Sequence, residues 1–121
     1  MTSGSRQHSN ACKAVHNHLD RQGYKYRPNL SSPGNTGRAD MTVWGHGAVT
    51  LELEIKTGAG GLSSAQELEQ KSLLTRGALY LVARVDKLPN GRWDMSQVDM
   101  AVNKMDYLNA LPEQAERNHN E

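Results

Sequence analysis

Residues 40–56 read DMTVWGHGAVTLELEIK, and this stretch decides the fold. In its second half apolar residues alternate with polar or charged ones. Side chains two apart on a strand share a face, so the alternation predicts a strand with one apolar and one charged face. The turn at residues 45–47 predicts a β-hairpin with the run before it. Antiparallel pairing would bring Asp40 close to Glu54 and Lys56.

The remaining chain predicts three helices and two further strands around this hairpin. Helices are expected where apolar residues recur at helical spacing, and strands where short apolar or aromatic runs end in turn residues. The predicted helices span residues 8–22, 63–76 and 95–111, and the predicted strands span 24–27, 40–44, 48–56 and 78–85. The order α-β-β-β-α-β-α predicts an α/β domain whose mixed sheet is flanked by helices. Because residues 78–85 are almost continuously apolar, we expect that strand in the middle of the sheet.

The length of 121 residues predicts a single domain, residues 1–121, with flexible tails at 1–7 and 112–121. No stretch approaches the ~18 apolar residues of a membrane helix. The chain starts with polar residues rather than the apolar core of a signal peptide. We therefore expect a cytoplasmic protein with no membrane partner. The single cysteine, Cys12, excludes an internal disulfide framework and a cysteine-rich zinc site.

Positive charge is concentrated early in the chain. The net charge is +1 overall, but +4 for residues 1–40 and −3 for the rest. Such asymmetry suits a basic surface that faces a phosphate backbone, although most charged surfaces of this size are only solvated. The candidate nucleic-acid contacts are Lys25, Arg27, Arg38 and Arg84.

The hairpin carries residues suited to phosphodiester hydrolysis. Mg²⁺ can generate the hydroxide, neutralise the phosphate and stabilise the leaving alkoxide, and it needs only one or two carboxylates. Asp40 and Glu54 are the candidate ligands, with Glu52 ranked behind them, and the backbone carbonyl of Ile55 is a further one. Lys56 shares a face with Glu54 and would orient water or contact phosphate. Taken alone, however, this pattern is more often the solvated face of an amphipathic strand.

Four segments stand in a fixed order: Gly37–Asp40, Glu54–Lys56, Leu62–Gln66 and Gly77–Val82. In this arrangement the chain resembles the VRR-NUC branch of the PD-(D/E)XK nuclease superfamily, which is related to Holliday-junction resolvases. The resemblance covers roughly residues 8–88. It implies a restriction-endonuclease-like core and a metal-dependent endonuclease that hydrolyses DNA, with Mg²⁺ or Mn²⁺ as cofactor.

The resemblance also implies roles for individual residues. Asp40 and Glu54 would be metal ligands, Lys56 the catalytic lysine, and Gln66 a further active-site residue. Gln66 equally suits a structural role as the capping-box partner of Ser63. Family members that consist of this domain alone resemble homodimeric resolvases, so branched DNA is the expected partner and a homodimer the expected assembly.

The chain departs from the family pattern in two places, of which the first should alter local stiffness more than chemistry. Ala39 replaces the usual proline, and no glutamate precedes Glu52, whereas the family's first helix commonly supplies one to the metal. His8 falls at that position, with Cys12 one turn later. His8 is a candidate metal ligand that would favour Mn²⁺, although a surface histidine is the commoner case. The alternative functions are a catalytically impaired DNA-binding relative, or an oligomerisation or regulatory module without a nucleic-acid role.

Overall fold

The computed structural model describes residues 3–29, 38–58, 64–75 and 78–120. These residues form an α/β fold in the predicted order. The elements are α1 (Ser3–Gln22), β1 (Lys25–Pro28), β2 (Met41–Trp44), β3 (Thr50–Lys56), α2 (Ser64–Thr75), β4 (Leu79–Arg84) and α3 (Ser96–Asn120). In the part of the chain described, no helix has the length and apolar character needed to span a bilayer.

Several element boundaries differ from the predicted ones. β3 begins at Thr50 rather than at residue 48, and the terminal helices extend to Ser3 and Asn120. Residues predicted as tails are thus largely helical, while their flexibility stays a prediction. Most of the predicted loop after β1, and the predicted capping residue Ser63, lie outside the described residues.

The described strands form one mixed sheet in the order β1-β2-β3-β4. β2 is antiparallel to both β1 and β3, whereas β3 and β4 are parallel. The predicted central position of the apolar strand was wrong, because β4 pairs only with β3 among the described strands. Helices α2 and α3 both pack against β4. They bury its side chains without a second neighbouring strand, which explains the apolar run.

The core lies on the apolar face of β3. Leu51, Leu53 and Ile55 are fully buried there, at 0% exposure. A fully buried leucine or isoleucine side chain contributes ~1.5–3 kcal/mol relative to an exposed one. They pack with the apolar stripes of α1 and α3, which comprise Ala11, Val15, Leu19, Val98, Ala101, Val102 and Met105. The predicted alternation therefore holds for this face.

A side chain of α3 fixes the hairpin loop between β2 and β3. Asn109 Oδ1 accepts a hydrogen bond of 2.8 Å from the Val49 amide, and Asn109 Nδ2 donates one of 3.0 Å to the Val49 carbonyl. A Cβ atom on Gly47 would lie 2.5 Å from Asn109 Oδ1, so a larger residue there would displace this contact. The close approach explains why glycine stands at this turn position.

We predict that Asn109→Ala lowers the free energy of unfolding by ~1–3 kcal/mol, because both backbone groups of Val49 lose their partner. Urea denaturation followed by circular dichroism measures the change. Asn103→Ala, at an exposed position of the same helix, is the matched control and should stay within ~0.5 kcal/mol of wild type. Equal midpoints for the two variants would contradict the assigned role of Asn109.

Candidate active site

The charged face of β3 is buried rather than solvated. Glu52 and Glu54 are each only 4% exposed, so the solvated-face interpretation is wrong for these two residues. Glu52 Oε1 lies 3.4 Å from Arg38 Nη2. Glu54 Oε2 lies 3.1 Å from Lys56 Nζ and accepts a short hydrogen bond from Gln66 Nε2. Buried carboxylates require such partners, because desolvating an unpaired charge costs several kcal/mol.

Asp40 lies beside Glu54 because of the strand register. Met41 pairs with Leu53, so the preceding residue on one strand faces the following residue on the other. Asp40 Oδ2 accepts a hydrogen bond of 2.7 Å from the Ile55 amide. This bond fixes the Asp40 carboxylate against the backbone of β3. The structure thus places Asp40 where the hairpin pattern predicted it, near Glu54.

His8 reaches the same place from α1. Its Nε2 lies 3.2 Å from Asp40 Oδ2 and 3.1 Å from the Ile55 carbonyl oxygen, and both can accept from the imidazole N–H. Cys12 Sγ lies 3.7 Å from the same nitrogen. The candidate ligand atoms of His8, Cys12 and Asp40 all lie within 4.8 Å of one another. Helix α1 therefore brings a histidine and a cysteine to Asp40, and these three side chains could hold a metal ion.

The pKa values of the two carboxylates, Asp40 and Glu54, are shifted in opposite directions. Burial tends to raise the pKa of Asp40, but hydrogen bonds from His8 and the Ile55 amide outweigh it and hold that pKa below its ordinary value. Burial and then the charge of Asp40 raise the pKa of Glu54, against the opposing hydrogen bonds of Gln66 and Lys56. The two carboxylates are thereby suited to different roles, because Asp40 keeps its charge more readily than Glu54 does.

His8 is a cation in the metal-free protein. Hydrogen bonding to Asp40, and secondarily to Cys12, raises the pKa of His8 from 6.5 to about 10. The imidazolium then balances the charge of Asp40 at the place where the predicted ligands meet. Metal coordination requires neutral imidazole, so His8 would have to lose this proton to act as a ligand.

The donor set fits a divalent cation. Asp40, Glu54 and the Ile55 carbonyl supply the oxygen ligands that Mg²⁺ and Mn²⁺ accept. Glu54 Oε1 is buried and has no hydrogen-bond partner among the described residues, which leaves one lone-pair site of this carboxylate open to a cation. Lys56, whose side chain is 20% exposed, connects this buried group to solvent.

Gln66 belongs to this cluster. It lies in the first turn of α2, and its Oε1 accepts a hydrogen bond of 3.4 Å from Lys56 Nζ while its Nε2 donates to Glu54. The amide therefore contacts both charged partners and fixes their separation. Ser63, its partner in the predicted capping box, lies outside the described residues.

The four predicted basic contacts do not form one cluster. Lys25 and Arg27 are exposed on β1, where the Arg27 guanidinium lies 5.8 Å from the centre of the Trp44 ring. Arg38 pairs with Glu52, as described above. Arg84 pairs with Lys56 across the sheet and donates from its guanidinium to the Gly58 carbonyl. Arg38 therefore contacts a buried carboxylate directly, whereas Arg84 lies beside Lys56 on the neighbouring strand.

Sequence reasoning missed a basic groove of about 640 Å³ between α1 and the segment before α3. Lys13, Arg21, Arg92 and Trp93 are among its lining residues. The spacing of Lys13, Asn17 and Arg21 would have revealed one side of it, because residues four apart lie on one helix face. Nothing in the sequence pattern places Arg92 opposite that stripe.

We predict that the stability contribution of His8 disappears as pH rises. Its raised pKa stabilises the folded, metal-free protein fully below pH 6.5, and the contribution is lost as pH rises towards about 10. The difference in unfolding free energy between wild type and His8→Gln should therefore shrink across this range, as measured by urea denaturation with a chelator. His46→Gln, in the exposed hairpin loop, controls for loss of an imidazole. A difference that is independent of pH would contradict the prediction.

Comparison with known proteins adds no relative to this description. No protein-family model matches the chain, and neither the curated proteins nor the solved structures contain a significant match. Any assignment of function therefore rests on the residues and their geometry.

Proposed function

We propose that this protein is a metal-dependent endodeoxyribonuclease that uses Mg²⁺ or Mn²⁺ to hydrolyse phosphodiester bonds in DNA. The observation that carries the proposal is the convergence of Asp40 Oδ2, the Ile55 backbone and the buried Glu54–Lys56 pair at one end of β3. A structural ion pair alone would not need a second carboxylate beside it. Two carboxylates can hold a divalent cation and a neighbouring lysine can contact phosphate, and this combination suits phosphodiester hydrolysis.

The fold supports the same proposal. An antiparallel three-strand unit followed by a parallel strand, with helices before, between and after, is compatible with the restriction-endonuclease-like core that the family resemblance implies. The proposed centre lies where the strands of the hairpin meet the start of α2, so three elements can hold its side chains rigidly.

The chain's own residues would perform distinct tasks. Asp40, Glu54 and the Ile55 carbonyl would hold the cation, which when bound supplies Lewis acidity and an activated water. Lys56 would donate to a phosphate oxygen and neutralise charge that develops there. Gln66 would keep the Glu54 carboxylate and the Lys56 ammonium in register through its two hydrogen bonds.

One observation favours a second candidate, a DNA-binding relative that does not cut. The His8 imidazolium lies between Asp40 Oδ2 and the Ile55 carbonyl, so the protein carries its own cation where the nuclease would hold a metal. Such a protein would keep the fold and bind a phosphate backbone through basic side chains, without turnover. Its binding would weaken steeply with salt.

Branched DNA and a homodimer enter the proposal from the family resemblance. A twofold axis would place two identical centres on the two strands of a symmetric junction. Comparing a four-way junction, a flap, a duplex and a single strand tests the substrate preference, and gel filtration tests the assembly.

We predict metal-dependent cleavage of at least one of these fluorescent DNA substrates by the wild type. Lys56→Ala should lower the cleavage rate by roughly 100-fold or more, as expected when a donor to the developing charge is removed. Asp40→Asn should abolish cleavage by weakening the cation site. Lys104→Ala, an exposed lysine on α3, is the matched control and should cut like wild type.

The outcomes separate the candidate functions. Salt-sensitive binding without cleavage in Mg²⁺ or Mn²⁺ would refute the nuclease and support the DNA-binding relative. Neither binding nor cleavage at low salt would refute both and leave a module without a nucleic-acid role. Cleavage by Lys56→Ala at the wild-type rate would remove Lys56 from the mechanism.

A further inference from the structure

His8 and Cys12 lie next to Asp40 and form with it a second donor set. It contains nitrogen and sulfur, unlike the carboxylate pair of Asp40 and Glu54. We propose that His8, Cys12 and Asp40 bind a divalent transition-metal ion that accepts a thiolate ligand, of the Zn²⁺ or Co²⁺ class. The proposal goes beyond the proposed function, with which it shares only Asp40. The proposed site includes Cys12 as a ligand, and it disfavours cations that bind oxygen ligands alone.

The geometry of α1 brings the two softer donors together. His8 and Cys12 are four residues apart, so they project from the same face of the helix one turn apart. In tetrahedral zinc sites, bond lengths of ~2.3 Å to sulfur and ~2.0–2.1 Å to nitrogen or oxygen set the ligand atoms roughly 3.3–3.6 Å apart. Here Cys12 Sγ and Asp40 Oδ2 lie 3.7 Å and 3.2 Å from His8 Nε2. Only small side-chain adjustments separate these positions from a ligand set.

The chemistry of the donors selects the ion. Mg²⁺ prefers oxygen ligands, whereas Zn²⁺ and Co²⁺ accept imidazole and thiolate. Cys12 would bind as the thiolate, and His8 would bind as the neutral imidazole. A magnesium site gains nothing from a sulfur atom at this distance. The cysteine therefore distinguishes this donor set from the oxygen-only one.

Three protein ligands would leave the ion accessible to a further ligand. Three protein ligands on a tetrahedral ion leave one coordination position for water, the arrangement of catalytic rather than purely structural zinc sites. Glu54 places a second buried carboxylate beside Asp40. Its Oε1 has no hydrogen-bond partner in the described part of the chain. A cation bound at Asp40 would offset the repulsion between these two carboxylates.

Cobalt absorption spectroscopy tests the ligand set directly. Because Cys12 is the single cysteine of the chain, any sulfur-to-cobalt charge-transfer band in the near ultraviolet must come from it. We titrate the reduced, chelator-treated full chain with Co²⁺. The expected result is a band that saturates at one ion per chain, is bleached by equimolar Zn²⁺ and withstands a large excess of Mg²⁺.

Variants identify the other ligand and control for unfolding. Cys12→Ser should lose the band, and His8→Gln should weaken Co²⁺ binding at least roughly tenfold. His46→Gln, which removes an exposed imidazole, should keep wild-type binding. Far-ultraviolet circular dichroism establishes that each variant is folded. Full-affinity binding by folded His8→Gln would overturn the proposed site.

The cobalt titration tests the metal site without any measurement of DNA cleavage. Absence of the band in wild type would overturn the transition-metal site, and the nuclease proposal would survive if Mg²⁺ supports cleavage. A stoichiometric band in a protein that cuts no DNA would support the metal site and refute the nuclease. The failure of each proposal thus has its own readout.

Discussion

Strand β3 holds the carboxylates of Glu52 and Glu54 at 4% exposure, and the rest of the molecule is arranged around that constraint. A carboxylate excluded from water is stable only where donors or cations replace its hydration. Glu52 takes Arg38 from the segment before β2, and Glu54 takes Lys56 from its own strand and Gln66 from α2. The burial of two like charges thereby ties separate segments to one strand.

The two faces of β3 have different roles, since one packs the core and the other carries the buried carboxylates. One face packs Leu51, Leu53 and Ile55 against α1 and α3, and this burial supplies the main stabilisation. The opposite face holds the acidic pair and its partners. Because the apolar face fixes the strand, the polar face can keep carboxylates close together at a cost in stability. Clustered like charges of this kind are typical of functional sites.

Local pattern predicted the parts of this structure that local forces determine. Helical and alternating spacing of apolar residues were sufficient for the element order. The tight turn was sufficient for Asp40 beside Glu54, because strand pairing across a short turn fixes the register. The burial of Glu52 was not predictable, since its partner Arg38 reaches it only in the folded chain. An apolar run is expected both for a central strand and for an end strand that helices cover. Among the described strands β4 is of the second kind, because α2 and α3 pack against it. The spacing of His8 and Cys12 predicts that they lie on one face of α1. The contact of His8 with the Ile55 carbonyl depends on how α1 packs on the sheet.

The atoms that meet at Asp40 come from distant parts of the chain. His8 is 32 residues from Asp40 and 47 from Ile55. Contacts of such long range carry a larger loop-closure cost than the hairpin does. Assembly of the His8, Cys12 and Asp40 donors would therefore report that α1 has docked on the sheet. A chain whose first helix has not docked would lack two of these three donors, whereas the hairpin would still bring Asp40 beside Glu54.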